Sequence, residues 1–177
     1  MSSSNLDATA AMHFREAESS ALQIMSVTYA LLPREFRDEL GLIVAPLIYR
    51  FAFHFRALAE RIRLDLSAHK LPQKSIVIIN EHVEVDDNIG RSLNRIIHSD
   101  AIAYNWAPPH QPQFTFDING FVMLSYIKAN TDRYKDQKVV PLREISRTFL
   151  ESRESIKRGS PPRLKSVKWV HPEPVNL

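Results

Sequence analysis

The sequence contains no cysteine among its 177 residues, and this absence excludes disulfide bonds, thiolate metal sites and cysteine nucleophiles. Glycine occurs only four times, which argues against a fold built on many tight turns. The first residues lack the basic start and apolar core of a signal peptide, and charged side chains interrupt the longest apolar stretches. We therefore expect a cytoplasmic protein that does not enter a membrane.

The residues that are present describe one folded domain of ordinary size. Hydrophobic residues make up 44% of the chain and charged residues 24%, which is typical of soluble globular proteins. The length favours a single domain over residues 1–157, followed by a proline-rich, basic tail at 158–177 that we expect to be disordered. A net charge of +3 gives little attraction for a polyanion unless the cationic side chains cluster.

Helical spacing of apolar residues dominates the first part of the chain. It predicts a helix over residues 8–32, a short helix over 34–40, and a central, very apolar helix from 45 or 46 to 68. Pro33 and Gly41 are expected to separate these helices. Three phenylalanines of the central helix are assigned to the core: Phe51, Phe53 and Phe55.

The second part of the chain mixes strands with helices. Residues 75–79 fit either a short buried strand or the start of a helix. Strand patterns at 114–116, 121–129 and 138–140 predict a small antiparallel hairpin or meander, and helical spacing returns over 141–156. The predicted fold is mainly α: a bundle of four to five helices with a small antiparallel β element at about 114–140.

An acidic segment precedes the most polar helix of the sequence. It contains Glu81, His82, Glu84, Asp86 and Asp87, and we interpret it as an acidic turn at a helix N-terminus. Its spacing lacks the His pair of a zinc-protease helix and the glycine of a calcium loop. We therefore expect no metal ion and no other cofactor.

The stretch 87–98 divides into two faces when it is drawn as a helix at about 100° per residue. Four residues form an apolar arc that we expect to pack on the phenylalanine-rich helix: Ile89, Leu93, Ile96 and Ile97. Five polar residues share the opposite side: Asp87, Arg91, Asn94, Arg95 and His98. Imidazole and guanidinium groups on one surface suit chemistry at a phosphodiester, because imidazole exchanges protons near neutral pH and guanidinium binds phosphate.

Arg91 and His98, separated by six residues on one helix, resemble the R-x4-6-H motif of the HEPN superfamily of small helical bundles. The segment 93–100 is also similar to a block found in bacterial helical proteins. Many HEPN motifs place a polar residue such as Asn directly after the Arg, where this chain has Ser92. In active HEPN members two copies of the motif meet across a dimer and cleave RNA, with His and Arg as the working pair.

This resemblance implies a metal-independent ribonuclease, or an inactive relative that binds RNA and forms a homodimer. His98 would be the general acid or base and Arg91 would hold the phosphate, while Asn94 or Arg95 would position the substrate. His54 and Arg50 would add to the same anionic site if their helix packs beside this one.

Two interpretations without catalysis remain open. The polar face is equally typical of a solvated, salt-bridged helix surface, with His98 complementing the helix dipole. The second interpretation is a non-enzymatic helical module whose helical face and β element bind a protein partner. The sequence leaves open whether the protein is an enzyme.

Overall fold

The computed structural model describes residues 6–30, 32–71, 75–78, 81–107, 121–130, 138–158 and 163–165. Within these residues the fold is mainly α with small antiparallel β elements, which confirms the predicted fold class. Four α-helices lie in the described part of the chain: α1 Ala8–Tyr29, α2 Arg37–Arg61, α3 Ile89–Ile97 and α4 Leu142–Arg158. Five strands accompany them: β1 Leu32–Pro33, β2 Ser75–Ile78, β3 Glu81–Glu84, β4 Ala101–Ala107 and β5 Phe121–Asn130.

Helix α1 is capped by Asp7, whose side chain accepts a hydrogen bond from the Ala10 amide at 2.8 Å. This contact satisfies one of the amide groups that a helix N-terminus leaves without a partner. The helix ends at Tyr29, three residues before the predicted end, because the following residues enter β1. A short 3-10 turn, Arg34–Phe36, then reverses the chain into α2, which packs along α1.

Helix α2 is continuous, so the predicted break between 40 and 45 is wrong. Gly41 does not end the helix because it is buried against the ring of Tyr104, whose hydroxyl donates to the Gly41 carbonyl at 2.9 Å. Pro46 lies inside the helix on its exposed side, where the carbonyl groups displaced by the proline ring can turn toward water.

Aromatic side chains from three helices form the centre of the core. The ring centroids of Phe55 and Phe149 are 4.8 Å apart, and Phe51 and Phe14 each pack within 6 Å of Phe149. Helices α1, α2 and α4 therefore meet at Phe149. The assignment of Phe53 to the core is wrong, because this side chain is 55% exposed.

The segment Arg34–Arg61 is long and apolar enough to cross a membrane when judged by length and composition alone. The central helix of a soluble protein meets the same criterion, and one face of this helix is buried in the core. The expectation that the protein does not enter a membrane stays a prediction.

Strand β5 lies in the middle of a three-stranded sheet. It pairs antiparallel with β4 along one edge and with β1 along the other. Strands β2 and β3 form a separate antiparallel pair. The acidic segment thus begins as strand β3, so its interpretation as a helical turn is wrong. The predicted strand at 114–116 lies outside the described residues.

Val139 and Val140, which lie just before α4, connect the three-stranded sheet to the segment that follows β3. Val140 exchanges two main-chain hydrogen bonds with Ile127 of β5, at 2.8 and 3.3 Å. Val139 donates to Glu84 and accepts from Asp86, both at 2.9 Å. The segment 84–86 is therefore fixed beside α3 by residues more than 50 positions away in the sequence.

The described part of the tail returns to the helical core. Leu164 packs against the core, and the Lys165 amide donates to the Ser152 hydroxyl of α4 at 2.7 Å. Residues 163–165 therefore differ from the predicted disorder of 158–177.

Candidate functional site

Helix α3 is fixed at its start by Asn88. The side-chain oxygen of Asn88 accepts from the Arg91 amide at 2.9 Å, and its amide group donates to the Ser67 carbonyl at 3.1 Å. The first contact caps α3, and the second attaches the helix to the turn that follows α2. The helix spans Ile89–Ile97, and His98 is its C-cap residue.

The apolar face of α3 agrees with the sequence prediction. Ile89, Leu93 and Ile96 are completely buried, and α3 packs against α2. Ser92, which follows the Arg of the motif, is also buried, and its hydroxyl donates to the Asp86 carbonyl at 3.3 Å.

The predicted polar face is divided, because Arg95 is only 1% exposed. Its Nε lies 2.7 Å from an oxygen of Asp86, a side chain with no exposed surface. The segment 84–86, which Val139 holds in place, covers this side of α3. Arg95 is therefore part of a buried ion pair and is not a surface residue that positions a substrate.

The acidic residues before α3 each pair with a different basic side chain. Asp86 pairs with Arg95, Glu84 binds Lys138 at 2.8 Å, and Asp87 lies 3.5 Å from Lys70. Among the described residues, no group of three or more His, Asp or Glu side chains is placed to hold a metal ion.

The remaining polar residues of α3 border an open groove of about 580 Å³ between α3 and the C-terminal end of α2. Arg91 contributes a side chain that is 42% exposed, although its Nε lies 3.9 Å from Asp86. Asn94 accepts a hydrogen bond from Nη1 of Arg56 at 3.1 Å. Arg63 lines the groove from the turn after α2. Three guanidinium groups and one amide therefore surround the same opening.

Two carboxylates also line the groove, and both have partners. Glu60 accepts from Nε of Arg56 at 2.6 Å. Asp65 accepts from the amide and hydroxyl groups of Ser67 and from the Ala68 amide, and these hydrogen bonds keep its pKa below the usual value. The hydrogen bonds of Asp65 stabilise the turn after α2.

His98 does not line this groove. It is exposed at the end of α3, about 10 Å further along the helix axis than Arg91, since seven residues rise 1.5 Å each. Of the two motif residues, Arg91 therefore lines the groove of its own chain, whereas His98 does not.

His54 lies on the opposite side of α2 from the groove. Its Nδ1 is 2.9 Å from Nδ1 of His13 on α1, so the two imidazoles share one hydrogen bond. Burial lowers the pKa of His54, and the neighbouring His13 and Arg50 lower it further, while Glu16 opposes them. The expectation that His54 and Arg50 join the α3 site is therefore wrong.

The sequence interpretation missed the two α2-side arginines of the groove. Arg56, Glu60 and Arg63 recur at i, i+4 and i+7, which places them along one face of a helix. This spacing was the available signal, but only the packing of α3 against α2 shows that the face borders a groove.

Comparison of the chain with models of known protein families, with curated proteins and with solved structures found no match in any of the three.

Proposed function

We propose that the protein binds RNA by its phosphate backbone in the groove between α2 and α3. The observation that supports this proposal is the grouping of Arg56, Arg63 and Arg91 around one open groove. Guanidinium groups bind phosphate through paired, charge-assisted hydrogen bonds. The Asn94 amide group adds hydrogen-bonding capacity at the same opening.

A metal-independent ribonuclease is the more specific form of this proposal, and it draws on the resemblance to the HEPN motif. A neutral imidazole at His98 would take the proton from a 2′-hydroxyl or return one to the leaving oxygen. Arg91 would offset the charge that develops on the phosphate. Because His98 lies outside the groove of its own chain, this chemistry requires a second copy that brings its His98 to the Arg91 groove.

Binding and cleavage are tested together on purified protein with labelled single-stranded RNA and EDTA. Fluorescence anisotropy measures binding, and gel electrophoresis measures cleavage. Arg91→Gln should weaken binding at least several-fold, whereas Arg153→Gln, an exposed charge on α4, should not. Cleavage that His98→Ala abolishes supports the ribonuclease, and binding without cleavage supports the inactive relative. Failure of the wild-type protein to bind RNA refutes both forms.

A different observation favours the alternative of a protein-interaction module. Helix α2 exposes apolar side chains near its start, with Leu42 78% and Ile43 64% exposed. Such a surface is typical of contacts between proteins, and a second copy of the chain is the simplest partner. Sedimentation of the wild-type protein and Leu42→Lys tests this alternative: a dimer that the substitution dissociates supports it, and a wild-type monomer contradicts it.

A further inference from the structure

Arg63 has a backbone conformation that side chains rarely adopt. Its φ is 56°, and it is the single non-glycine residue with positive φ in the described part of the chain. The left-handed region brings Cβ close to a backbone oxygen, which is why glycine usually occupies it.

The hydrogen bonds after α2 require this conformation. The Arg63 amide donates to Glu60 at 3.3 Å, and the Leu64 amide donates to Ala59 at 2.8 Å. These two bonds form a Schellman motif, in which the left-handed residue directly after the helix cap is usually glycine. The buried Leu64 side chain holds the turn against the core. A glycine at position 63 would therefore fit the local backbone better than arginine does.

The Arg63 side chain is exposed and lines the groove. From this position the side chain can contact a ligand in the groove, and this role is separate from the stability of the turn. Arg56 lies near the end of α2, Arg63 lies in the turn after it, and Arg91 lies on α3, so arginine side chains line the groove from three segments of the chain. The groove therefore offers guanidinium groups to more than one phosphate of a strand.

We propose that Arg63 binds a second backbone phosphate beside the one held at Arg91, so that the groove accepts an oligonucleotide strand in preference to a mononucleotide. This proposal rests on the proposed RNA binding. It names Arg63 as a ligand-binding residue that is present despite a conformational cost in the folded protein.

The test combines stability with the salt dependence of binding. Arg63→Gly, Arg63→Lys, Arg91→Gln and Arg153→Gln are compared with wild type by thermal unfolding and by titration of a single-stranded RNA oligonucleotide at several salt concentrations. Relief of the left-handed strain should raise the Tm of Arg63→Gly by about 2–4 °C. Loss of one phosphate contact should reduce the slope of log K against log salt by about 0.7.

The controls separate charge from conformation. Arg63→Lys should keep the slope because it keeps the cation, and Arg153→Gln should change neither Tm nor slope. A mononucleotide should bind wild type and Arg63→Gly equally weakly. Higher Tm with weaker, less salt-dependent RNA binding in Arg63→Gly supports the proposal.

Two results would overturn it and distinguish it from the function on which it rests. If Arg91→Gln weakens RNA binding but Arg63→Gly leaves affinity and slope unchanged, Arg63 makes no phosphate contact and the RNA-binding proposal stands. If Arg63→Gly lowers the Tm, the arginine is present for the stability of the turn. Absence of RNA binding in the wild type refutes both proposals.

Discussion

Replacing Asp86 with Asn should destabilise the protein strongly, because it removes the negative charge from the buried ion pair between Asp86 and Arg95. The two side chains have 0% and 1% of their surface exposed, and 2.7 Å separates Oδ2 of Asp86 from Nε of Arg95. Breaking such a buried pair on one side costs about 3–5 kcal/mol. Since a domain of this kind has a total stability of about 5–15 kcal/mol, the loss is a large fraction of it.

Arg91 provides a matched comparison on the same helix. Its Nε lies 3.9 Å from the same carboxylate, but its side chain is 42% exposed. Solvent screens an ion pair of this kind, so Arg91→Gln should cost less than about 1 kcal/mol. Asp86→Asn removes both ion pairs, so its cost beyond that of Arg91→Gln reports the buried, shorter pair with Arg95.

Urea unfolding of four proteins provides the assay: wild type, Asp86→Asn, Arg95→Met, and the double variant. Linear extrapolation gives the free energy of unfolding of each. The double variant should be less destabilised than the sum of the single substitutions by about 2 kcal/mol or more, because it removes both members of the buried pair together. A cost below about 1 kcal/mol for Asp86→Asn, or simple additivity in the cycle, would refute the reasoning.

Three further substitutions test other parts of the fold. Burial raises the pKa of Glu144 above its ordinary 4.5, so as pH increases this carboxyl group ionises in the unfolded chain before it does in the folded protein. The folded protein therefore loses stability above pH 4.5. Glu144→Gln should reduce this loss and raise the Tm at neutral pH. Burial and the adjacent His13 lower the pKa of His54 below 6.5, so as pH falls this imidazole is protonated in the unfolded chain before it is in the folded protein. The free energy of unfolding should therefore decrease as pH falls through 6.5. His54→Gln should make this decrease smaller in urea titrations at several pH values. Pro46→Ala should stabilise α2 by about 1–2 kcal/mol in urea unfolding, and an unchanged or lower value would show that the helix accommodates the proline without strain.

Periodicity in the sequence predicted which residues of α3 face the core, because one helix packs one face against its neighbour. It failed at Arg95, which lies beside the boundary between the two faces. Whether such a residue is exposed depends on the segment 84–86, and that segment is fixed by Val139 through main-chain hydrogen bonds. No pattern within residues 87–98 contains this information.

Helix α2 likewise shows that sequence patterns alone do not decide whether residues that usually interrupt helices will end one. Gly41 and Pro46 predict a break by their intrinsic preferences. The ring and hydroxyl of Tyr104 bind the helix at Gly41, and this contact joins residues 63 positions apart. The sequence identified only part of the groove. The α3 pattern predicted Arg91 and Asn94, but Arg56 and Arg63 can be assigned to the groove only when the face of α2 that meets α3 is known.

The hydrogen bonds of Val139 and Val140 predict how this part of the structure unfolds locally. These main-chain hydrogen bonds join β5 on one side and residues 84–86 on the other. Within these two adjoining β-bridges, the donors are the amides of Asp86, Val139, Val140 and Ile127. Cooperative opening of such a unit exposes all of its amides together. In hydrogen–deuterium exchange, these four amides should therefore report one common free energy of opening, as members of a single unfolding unit.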